Sequence, residues 1–193
     1  SMVHKLKGHY LDTKHPIIVE NLMGIRRVKG SIQKGKKPIL INHLKSIVNV
    51  INQQKIEEIK KSRDKAIILI GFGGGFRRTE LISIDHEDLE FMPEGLKISI
   101  KRSKTDQFGE GMIKGLPYFN NEIYCPVKNL QKWLEISKIK SGPIFRRFSK
   151  GLSLTDKRLT DQSVVLLMKE YLNLAGIENK NFAGHSLRSG FAT

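Results

Sequence analysis

Gly73-Gly74-Gly75-Phe76-Arg77-Arg78-Thr79-Glu80-Leu81 marks the point where an apolar run gives way to charge. Ala66-Ile67-Ile68-Leu69-Ile70 feeds into it, and Ile82-Ser83-Ile84 follows. Two arginines and a glutamate therefore stand where a buried segment leaves the core. A guanidinium beside such a run is costly unless an anion or a carboxylate meets it. Glu80 is one such partner, three residues after Arg77 and on the same face of a helix. Alone, this is an ordinary ion pair beside a glycine loop. The far end of the chain adds His185-Ser186-Leu187-Arg188, an imidazole and a guanidinium again at i, i+3. Two arginines, a histidine and a basic chain together suggest a pocket for a phosphodiester.

The composition agrees. The 193 residues are 39% apolar, enough to bury a full core in one domain with a short appendage. Lys and Arg number 34 against 19 acidic residues, a formal charge of +15, which points to a polyanionic partner. Nucleic acid fits better than a membrane surface, because no apolar run approaches transmembrane length and no signal peptide opens the chain. Cys125 is the only cysteine, so no internal disulfide forms and a reducing, cytoplasmic setting is expected. No Cys/His cluster has metal-binding spacing, and His4, His9 and His15 read as solvent-facing.

Working outward, residues 1–37 read as a leader. Ile18, Leu22 and Ile25 form a short helical stripe that Gly30 can end. Lys29-Gly30-Ser31-Ile32-Gln33-Lys34-Gly35-Lys36-Lys37 is a glycine- and lysine-rich linker. Its lysines, Lys34, Lys36 and Lys37 among them, fit equally as solvated charges or as a strap along a DNA backbone. From Pro38, Leu44, Ile47, Val48 and Ile51 keep helical spacing. A second, deeply buried helix is expected from about Arg63 to Phe72, stopped by the glycines. The glycine cluster is not a nucleotide loop: it lacks the Gly-Lys-Ser/Thr ending, and no strand clearly precedes it.

Leu96, Ile98 and Ile100 alternate with Lys97, Ser99 and Lys101, the signature of a half-buried strand. Pro93-Glu94-Gly95 turns into it, 103–111 make a longer turn carrying Lys104 at its tip, and Met112–Pro117 return. Helical pattern resumes at Cys125-Pro126-Val127, with Leu130 and Leu134 on one face and Trp133 as a core anchor beside them. Gly142-Pro143 interrupts it. Thr160 then caps a helix with a stripe of Val164, Leu167, Met168, Tyr171 and Leu172, which Gly176 ends. The expectation is an α+β fold, mainly helical, with a small three-stranded antiparallel sheet.

Taken together, these stretches resemble the tyrosine recombinases, or phage-type integrases, over about Ile18 to Thr193. Gly75-Phe76-Arg77-Arg78-Thr79-Glu80-Leu81 is similar to the family's first box, Ser103-Lys104-Thr105-Asp106 to its hairpin lysine, and His185-Ser186-Leu187-Arg188 to its His-x-x-Arg box. Cys125-Pro126-Val127 before Leu130 and Trp133-Leu134 also resembles family members. The resemblance implies a site-specific recombinase or integrase catalytic domain over 38–193. It implies that 1–37 are the tail of an N-terminal core-binding domain and a basic linker. Arg77, Lys104, His185 and Arg188 would be catalytic, with Glu80 orienting Arg77. Lys34, Lys36, Lys37, Arg78 and Arg102 would contact DNA.

The implied reaction is in-line attack of a tyrosine on a phosphodiester. A 3′-phosphotyrosine bond forms and the bond to the 5′-oxygen breaks, with no cofactor, ATP or metal. Tyr10, Tyr118, Tyr124 and Tyr171 all precede the second box. None matches the nucleophile, so the domain is expected to be C-terminally incomplete and inactive as 193 residues. Duplex DNA is the expected partner, with a monomer in solution and a tetramer on two duplexes for the whole protein. The alternatives are a non-catalytic basic module with a residual pocket and, more remotely, a hydrolase using His185 as base.

Overall fold

The computed structural model describes residues 12–29, 36–101 and 111–192. Two units divide the chain, Ser1–Gly35 and Lys36–Thr193. In the first, α1 (Pro16–Lys29) carries the expected stripe, opened by a proline whose missing N–H has no role at a first helical position. Ile17, Leu22, Met23 and Ile25 on it are exposed.

The second unit is built around one helix. α3 (Glu58–Gly73) follows α2 (Ile41–Gln53) and is buried on every side along Ala66–Ile70, each at most 1% exposed. A helix apolar all round must be covered all round. α5 (Pro126–Ser137), α2 and the short α7 (Ser186–Phe191) cover it, and α6 (Asp161–Leu174) packs on α2. Leu44, Ile47, Val48 and Ile51 of α2 and Val164, Leu167, Met168, Tyr171 and Leu172 of α6 are buried, as their spacing requires. Thr160 accepts a hydrogen bond from the Ser163 N–H at 3.3 Å as the α6 cap. Trp133 is fully buried and donates to the Ile144 carbonyl at 2.8 Å, an anchor as expected.

A three-stranded antiparallel sheet runs β1 (Leu89–Met92), β2 (Gly95–Ile100), β3 (Met112–Pro117), in that order. Its register pairs Leu96 with Leu116 and Ile98 with Lys114. Directly opposed residues share a face, so Lys114 lies on the face that buries Leu96 and Ile98.

Two features differ from the expectation. α3 begins at Glu58 rather than Arg63, because its polar first turns are held by buried charge. Asp64, 0% exposed, accepts from Arg63 at 2.8 and 2.9 Å, from Lys60 at 3.0 Å and from the Tyr171 hydroxyl at 2.7 Å. A second antiparallel ribbon, β4 (Arg146–Phe148) with β5 (Leu154–Arg158), was not expected. Arg158 on it donates to the Ile82 carbonyl at 2.6 Å and pairs with Asp85. The ribbon thereby fixes the end of the helix that starts at Arg78. Among the described residues no helix is long and apolar enough to cross a membrane.

Candidate functional site

The end of α3 sets the site. Gly75 takes φ +55°, the left-handed conformation that glycine adopts without Cβ strain. The Gly75 N–H donates to the Phe72 carbonyl at 3.0 Å and the Phe76 N–H to the Gly71 carbonyl at 3.1 Å. This pair of bonds closes a helix as a Schellman motif, with Phe76 buried behind it. The chain leaves extended at Arg77 (φ −66°, ψ 151°) and starts α4 (Arg78–Ser83).

Glu80 lies in the first turn of α4 and is 2% exposed. Its Oε2 accepts from the Arg77 backbone N–H at 2.9 Å, and Oε1 accepts from the Arg77 guanidinium at 2.6 Å. The Arg188 guanidinium lies 3.7 Å from Oε2 and donates to the Gly75 carbonyl at 3.4 Å. Arg77 and Arg188, far apart in the sequence, thus meet over one carboxylate. Both keep access to solvent, with side chains 22% and 41% exposed.

What carries Arg188 there is α7. Leu187 is buried, the Ile39 N–H donates to the Ser186 carbonyl at 2.9 Å, and the Ser186 hydroxyl accepts from the Ala183 N–H at 2.9 Å. Gly190 permits the close approach, since a Cβ there would run into the Ile39 carbonyl. His185 caps this helix, exposed and one turn before Arg188. Lys37 donates its backbone N–H to the Asn181 carbonyl at 2.8 Å, and the Lys36 ammonium reaches the Lys180 carbonyl at 2.9 Å. Lys36 and Lys37 therefore run beside the segment that leads into the His-x-x-Arg box. Arg78 turns away from the pair toward Asp161, at 3.6 Å.

Lys34, Arg102 and Lys104 lie outside the described residues. Among the described residues no three His, Cys, Asp or Glu side chains gather to hold a metal. Tyr171 is spent on Asp64, and burial, reinforced by that carboxylate, raises its pKa above the ordinary tyrosine value.

One cation was missed in the sequence. Lys114 reaches from β3 to the carbonyls of Gly74 at 2.6 Å and Gly75 at 3.1 Å, with its ammonium 4.6 Å from the Phe76 ring centre. Burial pulls its pKa below the ordinary lysine value, Glu80 opposes that, and the charges of Arg188 and Arg77 add to it. The only trace in the sequence is a lysine at an inward position of a strand, between Met112 and Leu116.

A helical core around α3, a three-stranded sheet beside it and two arginines joined at the α3–α4 turn define a recombinase-type catalytic fold. The family model for the phage integrase family matches residues 39–193, and the chain belongs to that family, the tyrosine recombinases. It is 42% identical over 186 residues to an integrase/recombinase XerD homologue of Selenomonas ruminantium, covering 96% of this chain and 54% of that protein. Tyrosine recombinase XerC of Caldanaerobacter subterraneus is 29% identical over 133 residues, 69% of this chain and 33% of that one. The chain thus spans about half or less of the length of these relatives. Among solved structures, XerH recombinase bound to a palindromic difH substrate superposes with TM-score 0.65 at 18% identity, over 85% of this chain and 43% of that one.

Proposed function

We propose that residues 38–193 are the catalytic domain of a site-specific DNA recombinase that cuts and rejoins DNA through a 3′-phosphotyrosine, and that 1–37 are the tail of a core-binding domain and its linker. The observation that carries this is the meeting of Arg77 and Arg188 over Glu80 at the mouth of the α3–α4 turn. A surface ion pair needs one arginine. Two guanidiniums brought to one buried carboxylate, both with access to solvent, form a cluster that suits a phosphate.

In this reading both guanidiniums donate to the nonbridging oxygens as charge builds in the transition state. Glu80 holds Arg77 rather than acting as a base. Lys104 gives a proton to the departing 5′-oxygen, and His185 assists proton transfer and braces the phosphate. The tyrosine oxygen forms the new bond to phosphorus as the bond to the 5′-oxygen breaks. Lys34, Lys36, Lys37, Arg78 and Arg102 follow the DNA backbone. Tyr171 is excluded as nucleophile by its hydrogen bond to Asp64 deep between α3 and α6. The whole protein then works as a tetramer on two duplexes, and the 193 residues alone are a monomer that binds without cleaving. The intact pairing of Arg77, Glu80 and Arg188 favours this over a binding module with a residual pocket.

The test is covalent capture. The full-length protein, given a nicked suicide duplex, forms a protein–DNA adduct. Arg77→Ala and Arg188→Ala each slow it by roughly 10²–10³-fold, the loss typical of one oxyanion donor. An adduct formed at the parent rate by Arg77→Ala would sink the assignment.

A further inference from the structure

A helix ends with carbonyls that have no partner inside it and with the negative end of its dipole. For α3, a helix of 16 residues, that end is the glycine turn that launches Arg77. Lys114 is the group that meets it. Its ammonium binds the Gly74 and Gly75 carbonyls at 2.6 and 3.1 Å, and the Gly75 carbonyl is also where Arg188 donates, at 3.4 Å. One peptide oxygen therefore touches a strand lysine and the arginine of the second box, two residues before Arg77. Lys114 also stands opposite the fully buried Ile98, a costly place for an ammonium. Solvation of a surface charge does not explain that position. Bonds to the helix end do.

We propose that Lys114 is a positioning residue for the arginine pair: it locks the Gly74–Gly75 turn to β3, and so fixes both the start of α4 at Arg77 and the Arg188 guanidinium at the spacing a phosphate needs. The inference rests on reading the site as a strand-transfer centre. Two of the three ammonium donors are engaged on carbonyls, so the lysine acts through the arginines and not as the proton donor. The connection between α3 and α4 opens with Gly74 and Gly75, the least restrained backbone available. A cation bridging sheet and turn removes that freedom where a displacement of about 1 Å costs roughly 10²-fold in rate.

The experiment compares Lys114→Met and Lys114→Arg in the full-length protein. Three quantities are read: single-turnover adduct formation on the suicide duplex, equilibrium affinity for the same DNA, and the melting temperature. Lys114→Met is expected to slow adduct formation by roughly 10²-fold, with affinity changed by no more than about threefold if no phosphate contact is lost. Lys114→Arg is expected to recover most of the rate, since a guanidinium can reach the same carbonyls. Parent-level adduct formation by Lys114→Met overturns the proposal. So does a loss of affinity equal to the loss of rate, which would make Lys114 a DNA contact. Should Lys114→Met lose its fold, Lys114→Gln is read instead, and loss of fold in both makes the lysine a core residue and ends the proposal. A parent protein that forms no adduct brings down the strand-transfer reading itself, a result distinct from a reactive parent with an equally reactive variant.

Discussion

Glu80 meets Arg77 through a short charge-assisted hydrogen bond at 2.6 Å and Arg188 only at 3.7 Å, without one. The two pairs should therefore differ in strength, although they share a carboxylate. Double-mutant cycles on Glu80→Gln, with Arg77→Met and with Arg188→Met, measure that difference in denaturant unfolding. The Arg77 coupling is expected at about 1–2 kcal/mol, reduced from a fully buried pair because Arg77 stays partly exposed. The Arg188 coupling, on a half-exposed side chain, is expected below about 0.5 kcal/mol. Equal couplings would contradict the geometry. At this scale the Arg77–Glu80 pair was legible because both residues lie within one helical turn. Arg188 was legible only through the His-x-x-Arg box. Lys114 was not, because its partners are backbone carbonyls 39 and 40 residues away, which no side-chain pattern records.

Among elements, α3 and α6 are tied by the Tyr171 hydroxyl, which donates to Asp64 at 2.7 Å. Burial first, and then the Asp64 charge, raise the tyrosine pKa in the fold above its unfolded value of 10.0. The folded chain therefore keeps this proton when the unfolded chain begins to lose it. Stability from the group is complete below pH about 10 and declines above it, by up to about 1.4 kcal/mol per pH unit. Tyr171→Phe should be less stable at neutral pH by about 1–2 kcal/mol, since it leaves one oxygen of Asp64 short of a donor. The gap should narrow as pH rises past 10 in parallel urea titrations. A gap constant across that range would place the hydroxyl elsewhere. The same network explains why the α3 start was misread. A Lys-Lys-Ser-Arg-Asp segment looks like solvent-facing linker until Tyr171, far along the chain, supplies a buried partner. The β4–β5 ribbon escaped for another reason: strands of three and five residues are too short for an alternation to stand out. The long stripes of α2 and α6, and the Leu96–Ile98–Ile100 alternation, were legible because each buries one face over its whole length.

For the whole molecule, a formal charge of +15 on 193 residues means that attraction to a polyanion does not depend on the site being intact. Proposed contacts at Lys36 and Lys37 run beside the segment that leads into the His-x-x-Arg box, so backbone binding and the candidate site are contiguous within the second unit. Each phosphate neutralised by a lysine or arginine releases condensed counterions, and the logarithm of the association constant falls with log salt at about −0.9 per phosphate. If about six phosphates are met, raising salt from 50 to 200 mM weakens binding by roughly 10³-fold. The 193-residue chain should show this on duplexes of unrelated sequence, read by fluorescence anisotropy over a salt series. Arg77→Ala should leave the slope within about one unit of the parent, because one contact among many is lost, while Lys36→Ala with Lys37→Ala should lower it by up to about two. An affinity indifferent to salt would mean that the positive surface does not meet the DNA backbone.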